Sequence, residues 1–154
     1  MSDLAKTHLK AGDKAPEFEG HDQDGNLHAL SMYRDEKLVL FFYPKDNTPG
    51  CTAEVCNLRD HFSELKKAGF RLLGVSADSQ KKHQNFIKKF SLPFPLLSDV
   101  DKNVISDFGV WGRKKFMGRE FDGIIRTTFV IEKGIITKVI EKVKTSDHAK
   151  QIKG

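Results

Sequence analysis

Cys51 and Cys56 are the only two cysteines in a chain of 154 residues. Two thiols cannot build a disulfide framework, and in a reducing compartment a close pair points to redox or metal chemistry. Metal chemistry needs further ligands. The six histidines (His8, His21, His28, His61, His83 and His148) are scattered without the spacing of a zinc site, and they read as surface residues. The expectation is therefore chemistry at the thiols themselves, with no metal and no cofactor.

Cys51, Val55, Leu58, Phe62 and Leu65 follow one another at intervals of 4, 3, 4 and 3, which is one face of an α-helix. Cys51 opens that apolar stripe. Cys56 shares its face with Thr52, Arg59, Asp60 and Ser63, all polar. Five helical steps set the two thiols about 140° apart, with a Cα separation of roughly 8 to 9 Å. A disulfide tolerates no more than about 7 Å, so any Cys51–Cys56 bond requires the first turns of the helix to unwind. Cys51 also follows Thr48-Pro-Gly50 at the start of the helix, where free N–H groups and the helix dipole favour a thiolate. Position alone leaves open that Cys51 is a small buried core residue.

The elements that carry this helix are legible in the pattern. Leu38-Val-Leu-Phe-Phe-Tyr43 is an unbroken apolar run of strand length, as expected of a central strand covered on both faces. The loop Pro44–Gly50 leads into the cysteine helix, which ends near Gly69, and Arg71–Ser76 reads as the next strand of a βαβ unit. That order places Cys51 just beyond the C-terminal end of a central strand, where α/β proteins usually hold their sites. Segments flanking Gln23-Asp-Gly25 read as a small N-terminal hairpin. Ser79 is expected to cap a helix carrying Phe86, Ile87 and Phe90, and Asp101 a short one ending at Phe108. Phe94 to Leu97 is at best an edge strand. Ile124–Ile131 and Ile135–Val143 are β-branched runs joined at Glu132-Lys-Gly134, and Thr145–Gly154 reads as a last helix. The result is an α/β fold of one domain over 1–154, a central mixed β-sheet flanked by helices, opening with a frayed tail of about 1–8.

With 26 Lys and Arg against 21 Asp and Glu, the net charge of +5 is spread along the chain rather than gathered in a stripe, so no nucleic-acid role is expected. No stretch approaches the roughly 20 apolar residues of a membrane span, and the first residues lack a signal-peptide core. A cytoplasmic location with no membrane partner is the expectation.

Pro44-Lys-Asp-Asn-Thr48-Pro-Gly-Cys51 resembles the Pro-x3-Thr-x2-Cys signature of the peroxiredoxins. Its continuation, Cys51-Thr-Ala-Glu-Val-Cys56, is similar to the atypical two-cysteine branch called bacterioferritin comigratory protein or peroxiredoxin Q. Further matches run from about Leu9 to the C-terminus, among them Phe108-Gly-Val-Trp-Gly112 and Gly123-Ile-Ile-Arg126-Thr-Thr-Phe-Val130. The resemblance implies a thioredoxin-like fold and reduction of hydroperoxides. It gives Cys51 the peroxidatic role and Cys56 the resolving role, with an intramolecular disulfide reduced by thioredoxin or a similar dithiol protein. It also assigns Thr48 and Arg126 to the peroxide site and Pro44 to shielding it, and it implies a monomer. The last helix is shorter than is usual in that family.

Chemistry supports the same residues. A free cysteine is only about 3% thiolate at pH 7, so full ionisation gains about 30-fold, and a peroxidase needs stabilisation of the charge moving onto the departing oxygen as well. Arg126 offers a permanent cation with several donors, and Thr48 a hydroxyl. Without the motif, Arg126 reads as an edge charge, Thr48 as a helix cap and Pro44 as a strand end. Glu54 either closes a capping box or orients the arginine. Trp111, Phe116 and Met117 read as core rather than as a collar to the site. A thioredoxin-type thiol–disulfide oxidoreductase is the alternative function, although it normally uses Cys-x2-Cys, and a binding module with structural cysteines is a third.

Overall fold

The computed structural model describes residues 2–3 and 5–154. In chain order these form β1 (Ser2–Asp3), β2 (Glu19–His21), β3 (Leu27–Ala29), a 3-10 turn (Leu30–Tyr33), β4 (Lys37–Phe42), α1 (Pro49–Asp60), α2 (Phe62–Lys67), β5 (Phe70–Ser76) and α3 (Gln80–Phe90). They continue with β6 (Leu96–Ser98), α4 (Asn103–Asp107), β7 (Trp111–Phe116), β8 (Arg119–Ile124), β9 (Thr127–Glu132), β10 (Ile135–Ile140) and α5 (His148–Lys153). The main sheet has the order β10-β9-β4-β5-β6, so the apolar run after Lys37 is its centre. β4 pairs with β5 in parallel and with β9 antiparallel, which makes the sheet mixed.

Both faces of β4 are covered because its residues alternate between two cores. Leu38, Leu40 and Phe42 pack with Leu73, Val75, Phe108 and Phe129 on one side. Val39, Phe41 and Tyr43 pack with Cys51, Val55, Leu58, Leu65 and Phe86 on the other. Each such buried side chain contributes roughly 1.5 to 3 kcal/mol relative to exposure, which pins α1 to the sheet and sets the height of its first turn. The N-terminal hairpin forms as β2 and β3. Ser79 caps α3, its hydroxyl accepting from the Lys82 N–H at 3.2 Å.

Several expectations need correction. The cysteine helix is two helices, broken at His61, whose φ of −108° leaves the helical range, and Phe62 starts the second piece only partly buried. Asp99, not Asp101, satisfies the start of α4, accepting from the N–H groups of Val104 and Ile105 at 3.3 and 2.7 Å. Trp111, Phe116 and Met117 are exposed rather than core, because 111–116 and 119–124 form an antiparallel hairpin turning at Met117-Gly118 and standing off the main sheet. The tail expected over 1–8 is part of the fold where it is described. Ser2–Asp3 pairs with Lys115 and Lys114, and the buried Thr7 hydroxyl donates to the Phe108 carbonyl at 2.7 Å. Met1 and Leu4 lie outside the described residues.

Candidate active site

The register of the central strands assembles the site. Phe42, the last residue of β4, is opposite Thr127, the first of β9, so Arg126 is delivered to the point where the chain leaves the sheet for the loop at Pro44. α1 begins there as well, with Pro49 in its first turn, where a missing N–H costs nothing. The three segments meet at Cys51.

Cys51 is buried, and the Arg126 guanidinium donates from Nη2 to its Sγ at 3.3 Å. Gly50 makes this approach possible. A Cβ on it would stand 3.2 Å from Nη2, so a side chain there would make the guanidinium give way by a few tenths of an ångström. The other arm of Arg126 donates from Nη1 to Glu54 Oε1 at 2.6 Å. Glu54 is three residues after Cys51, hence on the same helical face, and is fully buried. Of its two expected roles the structure has the arginine-orienting one. Burial works against the charge of Arg126, but the Glu54 carboxylate and then the Cys51 sulfur more than offset it, holding the guanidinium above its ordinary range.

Thr48 occupies the cap position of α1 without capping it. Its hydroxyl donates back to the Lys45 carbonyl at 2.8 Å, which leaves its oxygen lone pairs available to a bound donor. Pro44, half-buried, lines an open cavity of about 820 Å³ together with Gly50, Arg126, Thr127, Lys114 and Glu141. Cys56 is partly exposed, on the side of α1 away from the stripe, and both cysteines are free thiols. With α1 unbroken from Pro49 to Asp60, the helical separation of about 8 to 9 Å stands, beyond disulfide reach. The structure thus brings Cys51, Arg126, Thr48 and Pro44 to one end of the sheet and holds Cys56 apart.

Two histidines expected at the surface are fully buried, His83 and His148. His83 Nδ1 meets Asp46 Oδ2 at 2.6 Å and its Nε2 the Leu97 carbonyl at 3.0 Å, while Tyr43 donates to Asp46 Oδ1 at 2.5 Å. Asp78 accepts from Ser76 and from the Asp46 N–H. Asp46, Asp78 and His83 bring possible metal-ligand atoms within 4.8 Å of one another, but these contacts already occupy them, and they serve to anchor the loop ahead of Thr48. A signal for His83 was present: with Phe86 and Phe90 it continues one stripe at spacings of 3 and 4. No comparable pattern marks Asp46 or His148.

The model of the AhpC/TSA family matches residues 11–139. The chain is 49% identical to peroxiredoxin Bcp of Escherichia coli K12 over 141 residues, covering 91% of this chain and 90% of that one. It is 44% identical to peroxiredoxin Bcp of Bacillus subtilis 168, with the same coverage. Among solved structures, a PrxQ mutant of Xylella fastidiosa superposes with a TM-score of 0.88 at 32% identity, covering 96% of this chain and 94% of that one. With a first-turn cysteine facing a partly buried arginine on a thioredoxin-like mixed sheet, and with these matches along most of its length, the chain belongs to the AhpC/TSA family, within it to the Bcp/PrxQ peroxiredoxins, which are thiol peroxidases.

Proposed function

We propose that this peroxidase works through Cys51 as the attacking thiolate and Cys56 as the resolving thiol. The observation that carries this reading is the Arg126 guanidinium 3.3 Å from Cys51 Sγ, held there by Glu54. A fixed cation beside the sulfur stabilises its anionic form and meets the charge that develops on the peroxide. The Cys51 thiolate attacks one peroxide oxygen and the O–O bond breaks. Sulfur is left as sulfenic acid, and the displaced alkoxide or hydroxide takes up a proton to become alcohol or water. Thr48, its own hydrogen directed to Lys45, accepts from the peroxide O–H, and Pro44 limits water at the sulfur.

The Cys56 thiolate then attacks Cys51 Sγ, forming the S–S bond and expelling the oxygen as water once protonated. Because the reduced helix holds the thiols too far apart, this step follows unwinding of α1. A dithiol protein of thioredoxin type reduces the disulfide through a mixed disulfide and completes the cycle. Alkyl hydroperoxides are substrates alongside hydrogen peroxide, a reading supported by the alkyl peroxide reduction activity ascribed to the bacterioferritin comigratory protein of Xanthomonas campestris, 34% identical with a TM-score of 0.83. The enzyme acts as a cytoplasmic monomer.

Two variants test the roles. Cys51→Ser abolishes peroxide consumption, whereas Cys56→Ser reduces about one equivalent and stops at sulfenic or overoxidised sulfur, followed by mass spectrometry. Full turnover in Cys51→Ser, or loss of that first equivalent in Cys56→Ser, would exchange the roles.

A further inference from the structure

Glu54 Oε1 is committed to Arg126, but Glu54 Oε2 is buried without a hydrogen-bond partner among the described residues. A carboxylate oxygen left so is costly unless a charge faces it. What faces it is His148 of the last helix, fully buried, its Nε2 3.6 Å away. The protons on that ring can be counted. Gln151 donates from its amide nitrogen to the Lys142 carbonyl and accepts at Oε1 from the Lys144 N–H, which fixes the orientation of its amide. Oε1 also meets His148 Nδ1 at 2.8 Å, so Nδ1 carries a hydrogen. Nε2 lies 2.7 Å from the Thr128 hydroxyl. If Nε2 were bare, the Thr128 hydroxyl would donate to it and Glu54 Oε2 would face a neutral ring with no charge to meet its own. If it is protonated, it donates to Thr128 and its charge faces Glu54.

We infer that His148 is an imidazolium at neutral pH and a positioning residue for the peroxide site, acting on Arg126 through Glu54. This rests on the reading of Cys51 as the attacking thiolate. Four charges then balance in the buried centre: Cys51 sulfur and Glu54 negative, Arg126 and His148 positive. Without His148 the whole of the Glu54 charge falls on Arg126 and weakens its field at the sulfur. With it, Glu54 is shared and the guanidinium keeps its cationic character toward Cys51 and the peroxide. The surrounding charged groups do not compete for the ring. Arg126 lies behind Glu54, Asp147 precedes the ring at the helix cap, and Lys138 of β10 binds the Gln151 and Ile152 carbonyls at the other end of α5. Lys142 and Lys144 meet Gln151 through their backbones.

Long-range 1H–15N spectra of the reduced, full-length wild-type protein at pH 7 decide the protonation state: hydrogen on both ring nitrogens of His148 is expected, and one bare nitrogen overturns the inference. Kinetics decide the coupling. His148→Leu should lower the single-turnover rate of Cys51 with hydrogen peroxide about tenfold, yet change it less than about twofold in an Arg126→Met background, since the effect runs through the arginine. Equal slowing in both backgrounds, or none in either, overturns it. Wild-type rates in Arg126→Met alone would instead sink the reading of the site on which the inference rests. Should His148→Leu fail to fold, the wild-type spectra still distinguish a doubly protonated ring from a neutral one.

Discussion

At Cys51 the decisive contact is with a residue 75 positions away, and its consequences are separable. In the proposed mechanism Arg126 favours the thiolate and also the transition state, in which charge moves from sulfur to the departing oxygen. Arg126→Met isolates the second effect when peroxide rates are compared at a pH high enough to ionise the thiol fully in both proteins. A residual deficit of at least about tenfold, about 1.4 kcal/mol, is expected there in stopped-flow single turnovers. Equal rates would confine the arginine to ionisation. The bidentate reach of the guanidinium, one arm to Glu54 and one to Cys51, is why lysine should not replace it.

Among the elements, α1 is where the proposed disulfide step would work against stability. Its apolar face, Cys51, Val55 and Leu58, is seated in the core, and its far side is tied to the segment leading into α5 through Asn57, which donates to the Ser146 carbonyl at 3.0 Å and accepts from the Ala149 N–H at 2.8 Å. Forming the Cys51–Cys56 bond must break this order. Peroxide-treated protein is therefore expected to contain an intramolecular disulfide and to exchange its amides faster between Thr48 and Asp60 than the reduced form, as read by hydrogen–deuterium exchange mass spectrometry. An unchanged exchange pattern, or a disulfide-linked dimer as the main product, would contradict the unwinding. The break at His61 limits how far the disturbance has to travel, since α2 is a separate helix with its own buried Leu65.

Across the molecule, the hairpin of β2 and β3 is tied to the turn after it by a relay of three side chains. Tyr33 meets His28 Nδ1 at 2.6 Å, and His28 Nε2 meets Asp22 Oδ2 at 2.7 Å. Burial pushes the Tyr33 phenol up to about 12, so it remains a donor throughout the neutral range. Burial also tends to raise Asp22, but the hydrogen bond from His28 and those from the Asp24 and Asn26 N–H groups outweigh it, leaving the carboxyl below its ordinary value. A carboxyl depressed in the folded state adds stability that is complete above its unfolded value, near about 4, and is lost as pH falls through the lower folded value. Urea titrations should then show wild type more stable than Asp22→Asn at pH 7, with the gap closing below about pH 4. A gap independent of pH would mean that Asp22 acts by shape alone.

Local pattern was enough for much of this protein. The apolar run of β4, the 4-3-4-3 stripe of the cysteine helix, the hairpin turns and the Thr48-Pro-Gly-Cys51 stretch are all set by neighbours in the chain, because helix and strand periods are local geometry. What depended on the tertiary structure is whatever joins distant segments. No spacing relates Arg126 to Cys51, and only the pairing of Phe42 with Thr127 brings them together. The 111–124 hairpin is not legible in the sequence because its aromatic residues mimic core while standing in solvent. His148 and Glu54 are read as polar from sequence, yet both are fully buried, since partners from other elements meet their polar atoms, Arg126 at Glu54 and Thr128 at His148. Composition names the reactive groups, but the field around the sulfur is a sum over charges that only the packed fold places within a few ångströms of one another.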